Sequence, residues 1–134
     1  MTSKVTYLGE LRTSSVHLAS GNEIVTDAPV DNNGKGEAFS PTDIVANSLA
    51  SCMFSIMGIK ARDMNLDISG STAEVTKVMG TEPRRIIEIK VIFTMKGGVN
   101  DAKSRTLLER SAMTCPVYYS LHPDIFKAIT FNWQ

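Results

Sequence analysis

The chain has 134 residues, enough for one domain with a real core and too few for two, so residues 1–134 are read as a single domain. Hydrophobic residues make up 43% and charged residues 21%, the ordinary range of a globular chain. The 14 basic and 14 acidic side chains cancel, and no basic block exceeds Arg84-Arg85, so charge points to neither nucleic acid nor an anionic membrane as partner.

The longest apolar run, Ile44 to Ile59, is too short and too interrupted by Asn and Ser to be expected to span a bilayer. The segment Met1-Thr-Ser-Lys-Val-Thr-Tyr7 lacks the apolar core of a signal peptide, and the cytoplasm is the expected compartment. The only histidines, His17 and His122, stand at ligand spacing from neither cysteine nor each other, so no metal and no cofactor is expected.

In chain order, Val5 to Leu8, Ser15 to Leu18 and Glu23 to Thr26 read as short strands, with Ser20-Gly21-Asn22 as a hairpin turn. His17 in such a strand reads as a surface or cross-strand residue. Asp27 to Glu37 is polar and glycine-rich, a loop that either frames a site or merely connects. A helix follows with an explicit start: Ser40 as N-cap, Pro41 at the first helical position and Asp43 completing a capping box. Val45, Leu49, Cys52, Ile56 and Ile59 form an apolar stripe at helical spacing, and Ala46, Ala50, Met53 and Met57 form a second row. A central, largely buried helix is expected, with a thiol at a packed interface.

Beyond the charged exit Lys60 to Asn65, Leu66 to Val78 reads as a strand interrupted at Gly70. Arg85 to Met95 reads as another, whose Ile87, Ile89, Val91, Phe93 and Met95 present an apolar face that must pack on something, most simply the helix. Asn100 is a fair N-cap for a second helix over about Asp101 to Thr114, with Leu108, Ala112 and Cys115 on one face. Pro116 disfavours helical geometry at Cys115, which therefore sits at a helix terminus. Tyr118 to Pro123 is a helical turn or loop, and Ala128 to Trp133 is a final strand. The order β-β-β-α-β-β-α-β makes an α+β fold.

The candidate chemistry lies in the two thiols. Two buried cysteines are by default two small hydrophobes, and a reducing compartment argues against a permanent disulfide between them. A thiol in apolar surroundings becomes a nucleophile only where a cation or a hydrogen-bond donor stabilises its thiolate.

The stretch Ser40-Pro-Thr-Asp-Ile-Val-Ala-Asn-Ser-Leu-Ala-Ser-Cys52-Met resembles the first-cysteine helix of the OsmC/Ohr family, the osmotically inducible protein C and organic hydroperoxide resistance proteins. Cys115-Pro116 after an apolar helix resembles its second-cysteine segment, and the element order resembles the family across essentially the whole chain. The resemblance implies an antiparallel sheet packed on two central helices in an intertwined homodimer, with sites at the subunit interface. It implies thiol-dependent reduction of organic hydroperoxides or hydrogen peroxide, with a dithiol as reductant. Cys52 then corresponds to the peroxidatic thiol, Cys115 to the resolving thiol and Arg12 to the thiolate-stabilising arginine. The family's peroxidases place a glutamate after the helix-start proline to hold that arginine. Here the position is Thr42, which leaves Asp43 or Glu37 as candidate carboxylates. Alternatively, a member without peroxidase activity would bind a small apolar ligand at an interface pocket lined by Met53, Phe54, Met57 and Tyr118.

Overall fold

The apolar face read in Arg85 to Met95 is realised as a long strand in which Ile89, Val91, Phe93 and Met95 are all fully buried. The computed structural model describes residues 1–134, which gather into two compact units, Met1–Val45 and Ala46–Gln134.

The first unit is a three-stranded antiparallel sheet of β1 (Ser3–Gly9), β2 (Arg12–His17) and β3 (Glu23–Asp27), in that spatial order. The β1–β2 turn is made by Glu10 and Leu11, both at positive φ (51° and 62°). Consecutive left-handed residues match the twist of a hairpin but strain a side chain as bulky as leucine. The turn is held from three sides. The Tyr7 hydroxyl accepts from Leu11 N–H (3.3 Å), Leu11 carbonyl accepts from Ala28 N–H (3.0 Å), and Lys35 Nζ reaches Glu10 Oε2 (2.6 Å). The β2–β3 turn is the expected Ser20-Gly21-Asn22, closed by His17 N–H to Asn22 carbonyl.

The glycine-rich loop after β3 is more than a connector. Asn32 and Gly34 N–H both reach Pro29 carbonyl, and Gly36 N–H returns to Ala28. A Cβ at Gly34 would overlap the Ala28 carbonyl, so this close approach requires glycine.

Helix α1 (Pro41–Asp63) begins as expected: Asp43 N–H donates to Ser40 Oγ (3.0 Å) and Ser40 N–H to Asp43 Oδ2 (2.9 Å), a reciprocal capping box.

The second unit packs the remainder of α1 with a sheet of β4 (Thr72–Gly80), β5 (Arg85–Met95) and β6 (Phe126–Trp133), in that order. Helices α2 (Ala102–Ala112) and α3 (Pro116–Ser120) connect β5 to β6. The expectation of an antiparallel sheet holds for β4–β5 but not for β5–β6, which pair in parallel. A helical crossover between two strands of one sheet returns the chain to the starting edge, and α2–α3 does this. The strand expected from Leu66 begins only at Thr72. Asn65 adopts a left-handed conformation (φ 54°) and Leu66 N–H caps α1 at Ala61, which seats Leu66 in a small cluster with Ala61, Val99 and Leu108. The cap of α2 is Asp101, accepting from Ser104 N–H (2.8 Å), rather than Asn100.

One core cluster gathers Ala46, Leu49, Ala50, Met53 and Met57 of α1 with the buried face of β5, Ala112 and Cys115. The second row read from the sequence is therefore buried throughout and is joined by Leu49 of the first stripe, while Ile59 at the end of that stripe is 56% exposed. At 23 residues α1 exceeds the apolar run marked out above, and by length and composition it could cross a membrane. Burial of Leu49, Met53 and Met57 at 0% exposure identifies it as a core helix. Phe93 is the largest buried side chain, stacked on Phe131 (4.9 Å) and edge-on to Phe54 (4.8 Å). At the far end of the sheet, Trp133 donates from Nε1 to Glu109 Oε1 on α2 (2.7 Å), with Arg105 over its ring.

Removing Phe93 leaves a cavity between two aromatic partners that cannot collapse together. Phe93→Ala is expected to cost about 3–5 kcal/mol in urea unfolding, against less than about 1 kcal/mol for the half-exposed Ile92→Ala on the opposite face. Equal losses at the two positions would contradict the assigned core face.

Candidate functional site

Cys52 and Cys115 are far apart in sequence and meet in the second unit. Cys52 is carried by α1 beside the buried Met53 and is half-buried; Cys115 is fully buried. Pro116 opens α3, and Cys115 becomes its N-cap, with Sγ accepting from Tyr118 N–H at 3.3 Å. Both thiols are free, and Cys52 packs against the buried cluster that contains Cys115, near enough to act on its thiol. Burial pushes the Cys115 thiol up from its ordinary value. The Tyr118 N–H opposes this, and Cys52 adds to it. Burial thus favours the neutral form of the Cys115 thiol, beside a half-buried partner.

The residues expected to line a ligand pocket lie around the same core. Met53 and Met57 are fully buried, Phe54 is packed edge-on against Phe93, and Tyr118 lies beneath Lys127 Nζ, 5.2 Å from its ring centre. No group of three or more His, Cys, Asp or Glu side chains is assembled that would hold a metal ion.

In the first unit, Arg12 opens β2 and its guanidinium is fixed by two carboxylates. Nε donates to Asp27 Oδ1 (2.7 Å) and Nη2 to Asp27 Oδ2 (2.8 Å), a two-point pairing. Nη2 also reaches Glu37 Oε2 (3.1 Å). Asp27 is buried at the end of β3 and accepts a further bond from Glu37 N–H (3.2 Å), whereas the Glu37 side chain is 68% exposed. Of the carboxylates singled out from the sequence, Glu37 contacts Arg12 and Asp43 serves the helix cap. Asp27 was not singled out, although its signal was present: Arg12 and Asp27 lie symmetrically about the β2–β3 turn and are direct register partners.

The Arg12 hydrogen bonds hold the Asp27 carboxyl below the usual carboxylate range, against a burial cost that opposes them. A lowered folded value stabilises the chain at every pH above the ordinary aspartate value of about 3.9, and that contribution is lost as pH falls through the folded value. The melting temperature measured from about pH 7 down to pH 2 is therefore expected to fall below about pH 4 in the natural chain. In Asp27→Asn the decline over that window should be shallower. Parallel profiles for the two chains would show that this carboxylate carries none of the acid sensitivity.

The model of the OsmC-like protein family matches residues 34–128. A crystal structure from Psychrobacter arcticus, provisionally named an osmotic stress induced and detoxification response protein, is 59% identical, with 98% of this chain and 96% of that chain covered and a TM-score of 0.94. An organic hydroperoxide resistance protein from Elizabethkingia anophelis shares the fold at 15% identity, covering 100% and 97% of the two chains with a TM-score of 0.76. An organic hydroperoxide resistance protein OsmC from Legionella pneumophila does so at 14% identity, 98% and 97% coverage and a TM-score of 0.72. A comparison with curated protein sequences gives no match. With the family model covering most of the chain and the two-sheet α+β architecture in agreement, the chain belongs to the OsmC-like protein family.

Proposed function

We propose that this chain is a thiol-dependent peroxidase, reducing organic hydroperoxides or hydrogen peroxide through Cys52 and Cys115. The observation that carries the reading is the packing of two free thiols of unequal exposure into one cluster. A half-open sulfur suits meeting a substrate, and a buried neighbour suits reaction with the oxidised product. The hydroperoxide resistance names of the Elizabethkingia and Legionella proteins of the same fold support the substrate class.

The Cys52 thiolate attacks one peroxide oxygen. The O–O bond breaks, and the leaving oxygen takes a proton and departs as alcohol or water. The peroxide is reduced by two electrons and Cys52 becomes a sulfenic acid. Cys115 then gives up its proton as its sulfur attacks that of Cys52. The sulfenic oxygen leaves with that proton as water, and a disulfide forms. A dithiol reopens the disulfide by exchange, as the reducing cytoplasm allows. The neutral state of Cys115 fits the second role, since a thiol held protonated does not compete for peroxide. Arg12, kept cationic by Asp27 and Glu37, is assigned to stabilising the anionic sulfur, a task that requires a fixed positive charge.

We further propose a homodimer. The first unit leaves Val5, Tyr7, Leu8 and Ile24 of its three-stranded sheet, and Phe39 in the segment before α1, each more than half exposed, and a second copy of the chain is the occupant that would cover them. Sedimentation equilibrium should return twice the chain mass, and Ile24→Asp should shift the population toward monomer. A natural chain that sediments as a monomer at micromolar concentration would remove the dimer from this reading.

With cumene hydroperoxide and excess dithiol, Cys52→Ser is expected to lose at least about a hundredfold in rate. Cys115→Ser should complete one turnover and then slow, with a sulfenic acid trapped on Cys52 by dimedone. Wild-type consumption by Cys52→Ser would sink the assignment.

A further inference from the structure

The guanidinium of Arg12 has three nitrogens, and the structure uses them unequally. Nε and Nη2 are committed to Asp27, and Nη2 also to Glu37, while Nη1 makes no hydrogen bond within the chain. The two carboxylates are equally unlike. Asp27 is 1% exposed, doubly bonded to the guanidinium and tied to the loop by Glu37 N–H; Glu37 is 68% exposed and makes one longer bond. The flanking backbone is pinned as well, by the left-handed Glu10-Leu11 turn, the Leu11 to Ala28 hydrogen bond and the Lys35–Glu10 pair.

We propose that Asp27 is the positioning residue of the peroxide-reducing site: it locks the Nε–Nη2 edge of Arg12 so that the Nη1 edge is left, in fixed orientation, to bind an anion. The proposal rests on the peroxidase reading above and assigns to Asp27 the work that the family's glutamate does where this chain has Thr42. The chemistry suits the task. A bidentate fork fixes the plane of a guanidinium, which a single carboxylate oxygen cannot do. A buried carboxylate with no remaining freedom carries that geometry at little entropic cost. Glu37 is the exchangeable partner. Its negative charge offsets part of the cation, and an anion arriving at Arg12 can displace it into solvent.

The test measures kcat and KM for cumene hydroperoxide in the full chain, with circular dichroism melts run alongside. Asp27→Asn, folded at the assay temperature, is expected to lose about ten- to a hundredfold in kcat/KM. The loss should fall on the peroxide-dependent step, with the pH–rate profile displaced to higher pH. It should add nothing to the loss caused by Arg12→Ala, because Asp27 acts only through that side chain. Glu37→Gln, which gives up only the single exposed bond to Arg12, should lose less in kcat/KM than Asp27→Asn. Arg12→Lys keeps the charge but lacks the fork, and it should lose as much as Asp27→Asn, which preserves the test if the asparagine variant fails to fold. An Asp27→Asn protein that melts earlier yet keeps the wild-type rate and pH profile would overturn the proposal, as would an Arg12→Lys protein of wild-type rate. If Cys52→Ser also proves fully active, the peroxidase reading falls and takes this proposal with it. If Cys52→Ser is inactive, only the role of Asp27 is lost.

Discussion

Burial of one row of α1 against β5 is the constraint from which the second unit follows. Ala46, Leu49, Ala50, Met53 and Met57 recur at spacings that keep them on one side of a 3.6-residue helix, and β5 offers Ile89, Val91, Phe93 and Met95 as the matching face. Small residues at Ala46 and Ala50 allow close approach, while the methionines adapt to the space left by Phe93 and its aromatic partners. Cys52 precedes Met53 by one residue and so lies on the shoulder of the buried row rather than within it, which is why it is half-open. The exposure that its proposed chemistry needs comes from helical phase.

The first unit is organised by charge instead of apolar burial. Its sheet strands bury almost nothing hydrophobic, and its buried side chains are Thr26, Asp27 and Ser40. Each is answered. Thr26 shares a hydroxyl contact with Thr13, Asp27 takes Nε and Nη2 of Arg12, and Ser40 caps α1. A buried carboxylate without its partner would be costly, so removing the arginine should harm the unit more than removing an exposed charge would. The proposed anion-binding role of Arg12 and the stability of its own scaffold thus depend on the same pair of hydrogen bonds.

What was legible in the sequence was local. The Ser40–Asp43 box, the alternation in β5, the Gly21 turn and the break at Cys115-Pro116 are each written within a few residues, and each is present. What was not legible was relational. Both apolar rows on α1 satisfy helical periodicity, and only the partner strand decides that the Met53–Met57 row goes inside. The parallel β5–β6 pairing depends on where α2 and α3 return the chain, which no single segment states. Two cysteines carry no mark of being neighbours, so the pairing of Cys52 with Cys115 came from resemblance, and the shared cluster is visible only in the fold. The Arg12–Asp27 pair lies between these cases. The register running outward from the Ser20–Asn22 turn carries it, whereas the helix start points to Asp43, whose carboxylate is engaged by Ser40.

Trp133 is the only tryptophan in the chain, and its indole N–H is bonded to Glu109, six residues before Cys115 and on the helix that leads to it. The protein therefore carries a native fluorophore on a single structural joint. Indole emission responds to the loss of a hydrogen-bonded carboxylate and of the guanidinium lying over the ring, so any shift of α2 along β6 is written directly into the spectrum. An unlabelled sample followed in a stopped-flow instrument can report when the segment bearing the second thiol moves, separately from when peroxide disappears.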